Sequence, residues 1–274
     1  MKKRILKISA FTIALLLIVA VGWFANALVG NPLSKWMATN TAQAHLKENY
    51  GDQDFVLDSV TFNFKFGYYH AHVSSPSSMD SHFTLLIGMN GRLIEDTYQD
   101  RVIHRWNTAD RIGREYRNAV DAVLNSPAFP YREHIGFGDL AFVPMEYKED
   151  PSSPYYAIII EHLTLDAFYN VCELGETAGK LTIYLEEETV SCERMAEILL
   201  DVKRIFDNAG VKFCVLDFVL EHPKSEEGPH PDDRLEIMDF PCADIYEDGL
   251  TERVRAANEA AQAYHAAQDG EKKE

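Results

Sequence analysis

Three histidines and an aspartate lie close together in the segment YYHAHVSSPSSMDSHF, residues 68–83. His70, His72 and His82, with Asp80, are residue types that bind zinc and other transition-metal ions. Their spacing raises the question of a metal site. Such a site also needs a fixed ligand geometry and hydrogen-bond partners that orient each imidazole. The spacing alone supplies neither.

The two strands that must position these histidines show alternating apolar side chains. In the predicted strand 67–74, the apolar face is formed by Tyr69, Ala71 and Val73. In the predicted strand 82–89, it is formed by Phe83, Leu85, Ile87 and Met89. Because successive side chains point to opposite faces of a strand, all three histidines are predicted on the other face of one hairpin. His72 and His82 are then diagonal neighbours.

This face is compatible with a shared metal ion and equally with a solvent-exposed sheet surface. The connecting residues SSPSSMDS are ordinary turn formers. We interpret His70, His72 and His82 as surface residues. The sequence therefore assigns no catalytic, cofactor-binding or metal-binding residue, and it implies no cofactor.

Cys192 is predicted in the first turn of a helix, where thiols are often reactive. Four glutamates surround it in the sequence and oppose a thiolate there: Glu186, Glu187, Glu188 and Glu193. We therefore expect a structural role for this cysteine.

A polar loop near residue 230 resembles a cation site only in composition. It contains His222, His230, Asp232 and Asp233, but it lacks the fixed Asp/Asn/Gly ladder of an EF-hand loop. We expect a solvated loop. The sequence also contains no GxSxG, P-loop, GxGxxG or HExxH motif.

The four cysteines, Cys172, Cys192, Cys214 and Cys242, allow three disulfide connectivities and match no CxxC zinc pattern. The predicted strands 212–220 and 235–240 form a hairpin, which brings Cys214 and Cys242 close together. If a disulfide forms, we predict that it joins these two. A reduced, buried Cys214 remains the alternative.

The first thirty residues predict a single-pass transmembrane anchor. Lys2, Lys3, Arg4 and Lys7 precede an uncharged run from residue 8 to 30, and about 20 apolar residues span a bilayer. The basic residues predict a cytoplasmic N-terminus and an extracytoplasmic region 31–274, hence a cell-membrane location. Cleavage after Ala25-Asn26-Ala27, which resembles a signal-peptidase site, is the alternative.

The charge of the remaining chain is strongly acidic. Four of the 26 basic residues and none of the 43 acidic residues precede residue 31, which leaves a net charge of −21 on residues 31–274. Such a surface repels nucleic-acid phosphates, so no nucleic-acid partner is expected. The membrane, through the N-terminal helix, and an unknown protein or peptide remain as partners.

The hydrophobic pattern predicts an α+β protein in several parts. After the anchor, 1–30, we expect a helix, a four-stranded antiparallel meander and a second helix over 31–126. Proline-rich segments bracket a linker region, 127–154. An α/β sandwich with a ferredoxin-like arrangement is predicted for 155–268, and a disordered tail for 269–274.

Several segments resemble the YfjL-like family of Gram-positive bacterial proteins. The resemblance covers most of the chain and is carried by NPLSKW, VTFNFKFGYYHAHV, SSPSSMDSHF, NTADRIGREY, GKLTIYLEEE, EILLDV and VKFCVLDFVL. It implies a membrane-anchored protein of two parts and uncharacterised function. The resemblance assigns no catalytic residues to this chain.

These observations favour a non-enzymatic interaction or sensing module at the outer face of the membrane, with an unknown ligand. One alternative is an exported hydrolase whose site is built from scattered carboxylates or histidines. A further alternative is a structural component of the envelope. A polar cleft with converging titratable groups favours the hydrolase, and an exposed apolar patch favours a protein partner.

Overall fold

The computed structural model describes residues 2–131, 134–223 and 234–271. The chain folds as two compact units, Met1–Asn107 and Thr108–Glu274. The predicted linker region, 127–154, lies inside the second of these units and contains one of its main strands.

The first unit begins with two helices, α1 (Lys2–Val29) and α2 (Pro32–Asn49). Asn31 caps α2, because its side-chain oxygen accepts a hydrogen bond of 2.8 Å from the backbone N–H of Ser34. Proline at the first helical position needs no donor and fits the start of a helix. The first helix predicted for 31–126 is therefore confirmed, and it begins at Pro32.

The predicted transmembrane anchor is wrong. Crossing a membrane requires about 20 predominantly apolar residues in one helix, and no helix in the part of the chain that the structure describes meets both the length and the apolarity. Two predictions that depended on the anchor are therefore also wrong. They are the single-pass topology, with an extracytoplasmic region 31–274, and the cell-membrane location.

Four antiparallel strands follow in the order β1-β2-β3-β4. Their bounds are β1 (Val56–Asn63), β2 (Tyr68–Ser74), β3 (His82–Gly88) and β4 (Leu93–Asp96). The turn between β3 and β4 contains Gly91 at a φ of 77°, a conformation that glycine adopts without strain. The predicted meander is confirmed.

Helix α2 packs on one face of this sheet with small side chains. Ala38 and Ala42 are fully buried, which lets the helix approach the strands closely. The sheet contributes the buried residues Tyr69, Ala71, Val73, Phe83, Leu85 and Ile87. The alternation seen in the sequence therefore sets which face is covered.

The hydroxyl of Tyr69 ties this sheet to the start of α2. It lies 2.7 Å from Ser34 Oγ and donates to the carbonyl of Asn31 at 3.3 Å. Gly30 has a φ of 74°, and a Cβ there would collide with this hydroxyl. The chain between α1 and α2 therefore needs glycine at this position.

The second unit contains four helices and a second four-stranded sheet. The helices are α3 (Trp106–Leu124), which begins in the last residues of the first unit, α4 (Val171–Ala178), α5 (Cys192–Ala209) and α6 (Leu250–Glu271). The strands of the sheet are β5 (His134–Leu140), β8 (Gly179–Glu186), β9 (Val215–Glu221) and β10 (Arg234–Pro241). Two short strands, β6 (Phe142–Val143) and β7 (Ile158–Ile159), pair in parallel apart from it.

The strand order β10-β9-β8-β5 differs from the predicted ferredoxin-like arrangement. Strands β8 and β9 are parallel direct neighbours joined through α5, whereas a ferredoxin-like sheet separates such a pair with another strand. The segment 155–165, with which the predicted α/β sandwich begins, is mostly turn and 3₁₀-helix around β7. Helix α6 continues to Glu271 into the predicted tail, and residues 272–274 lie outside the described residues.

The predicted helix that begins near Cys192 is confirmed as α5. Ser191 Oγ accepts a hydrogen bond from the Arg194 backbone N–H at 3.1 Å, and Gly210 ends the helix at a φ of 72°. One stripe of α5 faces the sheet and is buried: Met195, Ala196, Ile198, Leu199, Val202 and Phe206.

Replacing Tyr69 with Phe should lower the free energy of unfolding of the first unit by about 1 kcal/mol, because it removes one buried hydrogen bond without leaving a cavity. The matched control is Tyr68→Phe on the opposite face of β2, with an expected change within about 0.5 kcal/mol. Urea denaturation measures both. Equal effects of the two substitutions would contradict a role for the Ser34–Tyr69 contact.

Candidate functional site

The predicted histidine face is confirmed by the strand register. His72 pairs with Thr84 and Ser74 pairs with His82, so His72 and His82 are diagonal neighbours on the face opposite the core. His70 is half-buried, whereas His72 and His82 are exposed. The three imidazoles share one open surface of the first unit.

Neighbouring side chains on this face already contact the imidazole nitrogens. Asn63 Nδ2 lies 3.2 Å from His70 Nε2, and Thr84 Oγ1 lies 3.4 Å from His72 Nδ1. The His70 and His72 rings stack with their centroids 6.0 Å apart, and the ring centroids of Tyr68 and His70 are 5.3 Å apart. These contacts make a ladder of rings rather than a set of converging ligands.

Asp80 lies in the loop between β2 and β3 and is fully buried, whereas His82 is exposed. Asn107 Nδ2 donates to the backbone carbonyls of Asp80 and His82 at 2.8 and 2.5 Å, which fixes the loop. Across the described ranges, no three His, Cys, Asp or Glu side chains are grouped to hold a metal ion.

A second polar cluster, not singled out in the sequence, joins α2 to the end of β4. Asp96 Oδ2 lies 2.7 Å from His45 Nε2 and accepts a hydrogen bond of 2.7 Å from the Tyr50 hydroxyl. Asp96 Oδ1 accepts from the Tyr98 backbone N–H at 2.9 Å. Asn49 Nδ2 lies 3.1 Å from His45 Nδ1. Burial, reinforced by the hydrogen bond to Asp96, raises the pKa of Tyr50 well above its ordinary range.

A histidine beside a carboxylate is a frequent acid–base pair in enzymes. Here both ring nitrogens of His45 and both oxygens of Asp96 already have protein partners. The arrangement therefore acts as a structural strut between α2 and β4.

A third cluster lies on the second sheet around Lys180. Its Nζ is 2.7 Å from Asp217 Oδ2 and 2.8 Å from Asp239 Oδ1. Burial alone lowers the pKa of Lys180, but the hydrogen bonds to Asp217 and Asp239 outweigh burial and raise it. Asp239 has a φ of 46° at the bulge of β10. The lysine thus stabilises a strained turn of the strand.

All four cysteines are free thiols, and each is half-buried. Cys192 begins α5, as predicted. The predicted Cys214–Cys242 disulfide is not formed, although the Cys242 N–H donates to the Cys214 carbonyl at 2.8 Å. Of the predicted acidic loop, His222 is described, whereas His230, Asp232 and Asp233 lie outside the described residues.

A cleft of about 750 Å³ lies along α3 in the second unit. Binding sites for small molecules commonly have volumes of about 300–1,000 Å³. The apolar wall is formed by Leu140, the last residue of β5, and Phe142, the first residue of β6. Gly113 faces Phe142, and its missing side chain leaves room between the helix and this wall.

Three arginines line the cleft at three-residue spacing along α3. Arg111 contacts Glu115 at 3.2 Å and donates to the Ala167 carbonyl at 2.8 Å, and Arg117 pairs with Asp139. Arg114 differs, because it is exposed and makes no ion pair or hydrogen bond within the described ranges. Asn118, one turn further along, is also exposed and has no described hydrogen bond. We call Arg114 and Asn118 the donor pair of the cleft.

The cleft was not predicted, because hydrophobic periodicity identifies the buried face of a helix and not what lines its open face. The spacing of Arg111, Arg114 and Arg117 in an otherwise acidic chain was the available signal. Residues three apart lie on neighbouring parts of one helix surface. The wall at Phe142 could not be read from that spacing, because it depends on how β5 packs against α3.

Replacing His70 with Gln should reduce the loss of stability in acid. Burial and then the neighbouring His72 lower the pKa of His70 below its ordinary value of 6.5. Above that value both the folded and the unfolded chain carry a neutral imidazole, so the two proteins should differ little at pH 8. As the pH falls through 6.5, the unfolded chain binds a proton that folded His70 resists, and stability is lost.

The measurement is the difference in Tm between the native protein and His70→Gln from pH 8 to pH 5. The native protein should lose more stability on acidification. A difference in Tm that stays constant with pH would contradict the assigned direction of the pKa shift.

Comparison with known proteins agrees with the resemblance seen in the sequence. The YfjL-like N-terminal domain matches residues 2–97, and the YfjL-like C-terminal domain matches residues 115–255. No curated protein matches the chain. One solved structure is similar, a DUF5037 family protein from Ruminococcus gnavus ATCC 29149. It has 14% identity and a TM-score of 0.25, with coverage of 80% of this chain and 98% of that chain, and so supports no inference. The matches to both domains show that the chain belongs to the YfjL-like family.

Proposed function

We propose that the protein is a non-enzymatic interaction or sensing module whose second unit binds a small organic anion in the α3 cleft. The observation that carries this proposal is the donor pair, Arg114 and Asn118, which lines a cleft with an apolar wall. A guanidinium recognises carboxylate or phosphate oxygens through two parallel hydrogen bonds. An amide nitrogen one helical turn away supplies a further donor to the same group.

The apolar wall defines the rest of the ligand. Leu140 and Phe142 both line the cleft with apolar side chains. Leu140 is almost fully buried, and Phe142 is half-buried. A ligand that places an apolar body against them and an anionic group near Arg114 satisfies both parts of the site. Binding sites combine a mainly apolar lining with a few polar groups in this way.

The neighbouring charges favour one anionic group rather than several. Arg111 and Arg117 are already paired with Glu115 and Asp139 at the cleft. Their charges are locally neutralised, whereas Arg114 makes no ion pair within the described ranges. A ligand with several phosphates would meet the carboxylates of Glu115 and Asp139 and be repelled.

The contacts of the titratable clusters support binding rather than catalysis. The nitrogens of His45 and the oxygens of Asp96 are engaged by protein groups, and Lys180 is held by Asp217 and Asp239. None of these clusters lines the α3 cleft. A general base must reach the proton that it removes, and the groups that line the cleft are mainly paired arginines and carboxylates.

Replacing Arg114 with Ala should weaken binding of an aromatic carboxylate such as benzoate roughly tenfold or more, because a charge-assisted hydrogen bond contributes about 1.5–3 kcal/mol. The matched control is Arg204→Ala, which removes an exposed arginine from α5 in the same unit. Isothermal titration calorimetry measures both affinities. Arg114→Lys should restore part of the affinity, since lysine keeps the charge but not the paired geometry.

A second variant tests the cleft independently of its charge. Gly113→Leu should fill the space next to Phe142 and abolish binding while Arg114 is retained. Equal affinity in the native protein, Arg114→Ala and Gly113→Leu would place binding elsewhere. Absence of binding by benzoate, by longer aromatic carboxylates and by aryl phosphates would refute the proposal.

A further inference from the structure

Cys214 lies directly before β9 and Cys242 directly after β10, at the same end of these two paired strands. The 2.8 Å hydrogen bond from the Cys242 N–H to the Cys214 carbonyl continues a register in which Pro241 pairs with Val215. Opposite residues of antiparallel strands have Cα atoms about 4.5–5.5 Å apart, with side chains on the same face. Disulfides bridge Cα separations of about 4.4–6.8 Å, so the two thiols can be joined with little backbone movement.

A lysine contacts one of these thiols. Lys203 Nζ, on α5, lies 3.3 Å from Cys242 Sγ and donates to the Cys242 carbonyl at 3.1 Å. Burial raises the pKa of the Cys242 thiol, and the ammonium of Lys203 opposes this shift. A thiolate formed on Cys242 is therefore stabilised by a neighbouring cation, which is a recurrent feature of reactive cysteines.

We propose that Cys242 and Cys214 are a redox-active pair, in which Cys242 is the attacking thiol and Cys214 the resolving thiol. The oxidant is a low-molecular-weight disulfide. This inference is independent of ligand binding in the α3 cleft.

The reaction balances in two exchange steps. The Cys242 thiolate attacks one sulfur of the small disulfide, forms a mixed disulfide and releases one small thiolate. The Cys214 thiolate then attacks Cys242 Sγ and releases the second small thiolate. The protein loses two protons and two electrons, and the small disulfide is reduced to two thiols.

The other two cysteines serve as internal controls for the reactivity of Cys242. Cys192 lies at the start of α5, and Cys172 lies in α4, where its carbonyl accepts from the Lys212 N–H at 3.0 Å. Neither has a described lysine contact at its sulfur.

The product should be more resistant to unfolding. The new bond closes the chain between β9, an inner strand, and β10, an edge strand, of the second sheet. Such a closure restricts the unfolded chain. A rise in Tm of roughly 5–10 °C is expected for a chain of this size.

The experiment treats the reduced full-length protein with oxidised glutathione and follows the intact mass. We expect the loss of two hydrogen atoms and a cross-linked peptide that contains Cys214 and Cys242. Dithiothreitol should reverse both the mass change and the rise in Tm. A cross-link that involves Cys172 or Cys192 would overturn the assignment.

Three variants separate the roles of the residues. Cys214→Ser should stop at a stable glutathione adduct on Cys242, whereas Cys242→Ser should leave Cys214 mostly unmodified. Lys203→Gln should slow the modification of Cys242 roughly threefold to tenfold and leave the rate at Cys192 unchanged. Uniform modification of all cysteines, or an unchanged rate in Lys203→Gln, would contradict the proposal. The folded state of each variant is checked by circular dichroism.

Discussion

The second unit depends on the packing of one buried aromatic ring, Tyr116 of α3, against bare backbone. A Cβ at Gly175 or Gly179 would collide with the ring or hydroxyl of Tyr116, and a Cβ at Gly138 would collide with Val120 and crowd the same ring. Its hydroxyl donates to the Lys212 carbonyl at 2.8 Å. The ring therefore meets β5, α4, the start of β8 and the segment before β9 at one point. Interiors this tightly packed tolerate little added volume, so the three glycines and the tyrosine must be present together.

This packing also positions the cleft. Because Tyr116, Ile112 and Val120 turn inward, helical geometry turns Arg114 and Arg117 outward. Gly138 lets α3 lie directly on β5, and the chain that leaves β5 then brings Phe142 beside Gly113. The packing of the buried face of α3 thus sets both the direction of the arginines on its open face and the position of the apolar wall.

Much of the fold could be predicted because the buried residues recur at the spacing expected for strands and helices. The meander and its histidine face were predicted from the alternation of apolar side chains, and a helix was predicted to begin near Cys192. Strand β5 was missed because its inner face has Gly136 and Gly138 where large apolar residues are expected, while Ile135 is exposed. The apolar run around Ile159 forms a short strand and a 3₁₀-helix rather than one long strand. The cleft and the Asp96 cluster join residues far apart in sequence, which periodicity cannot reveal.

The acidity of the chain bears on how an anion reaches Arg114. A net charge of −17 repels an anion at long range, but at physiological ionic strength charges are screened beyond about 8 Å. Added salt weakens this long-range repulsion and also weakens the short-range attraction to Arg114. These two effects oppose each other, so affinity in the cleft should vary little with salt. A site that relied on a broad basic surface would instead lose affinity steeply as salt is added, and that difference distinguishes recognition by one guanidinium from general electrostatic attraction.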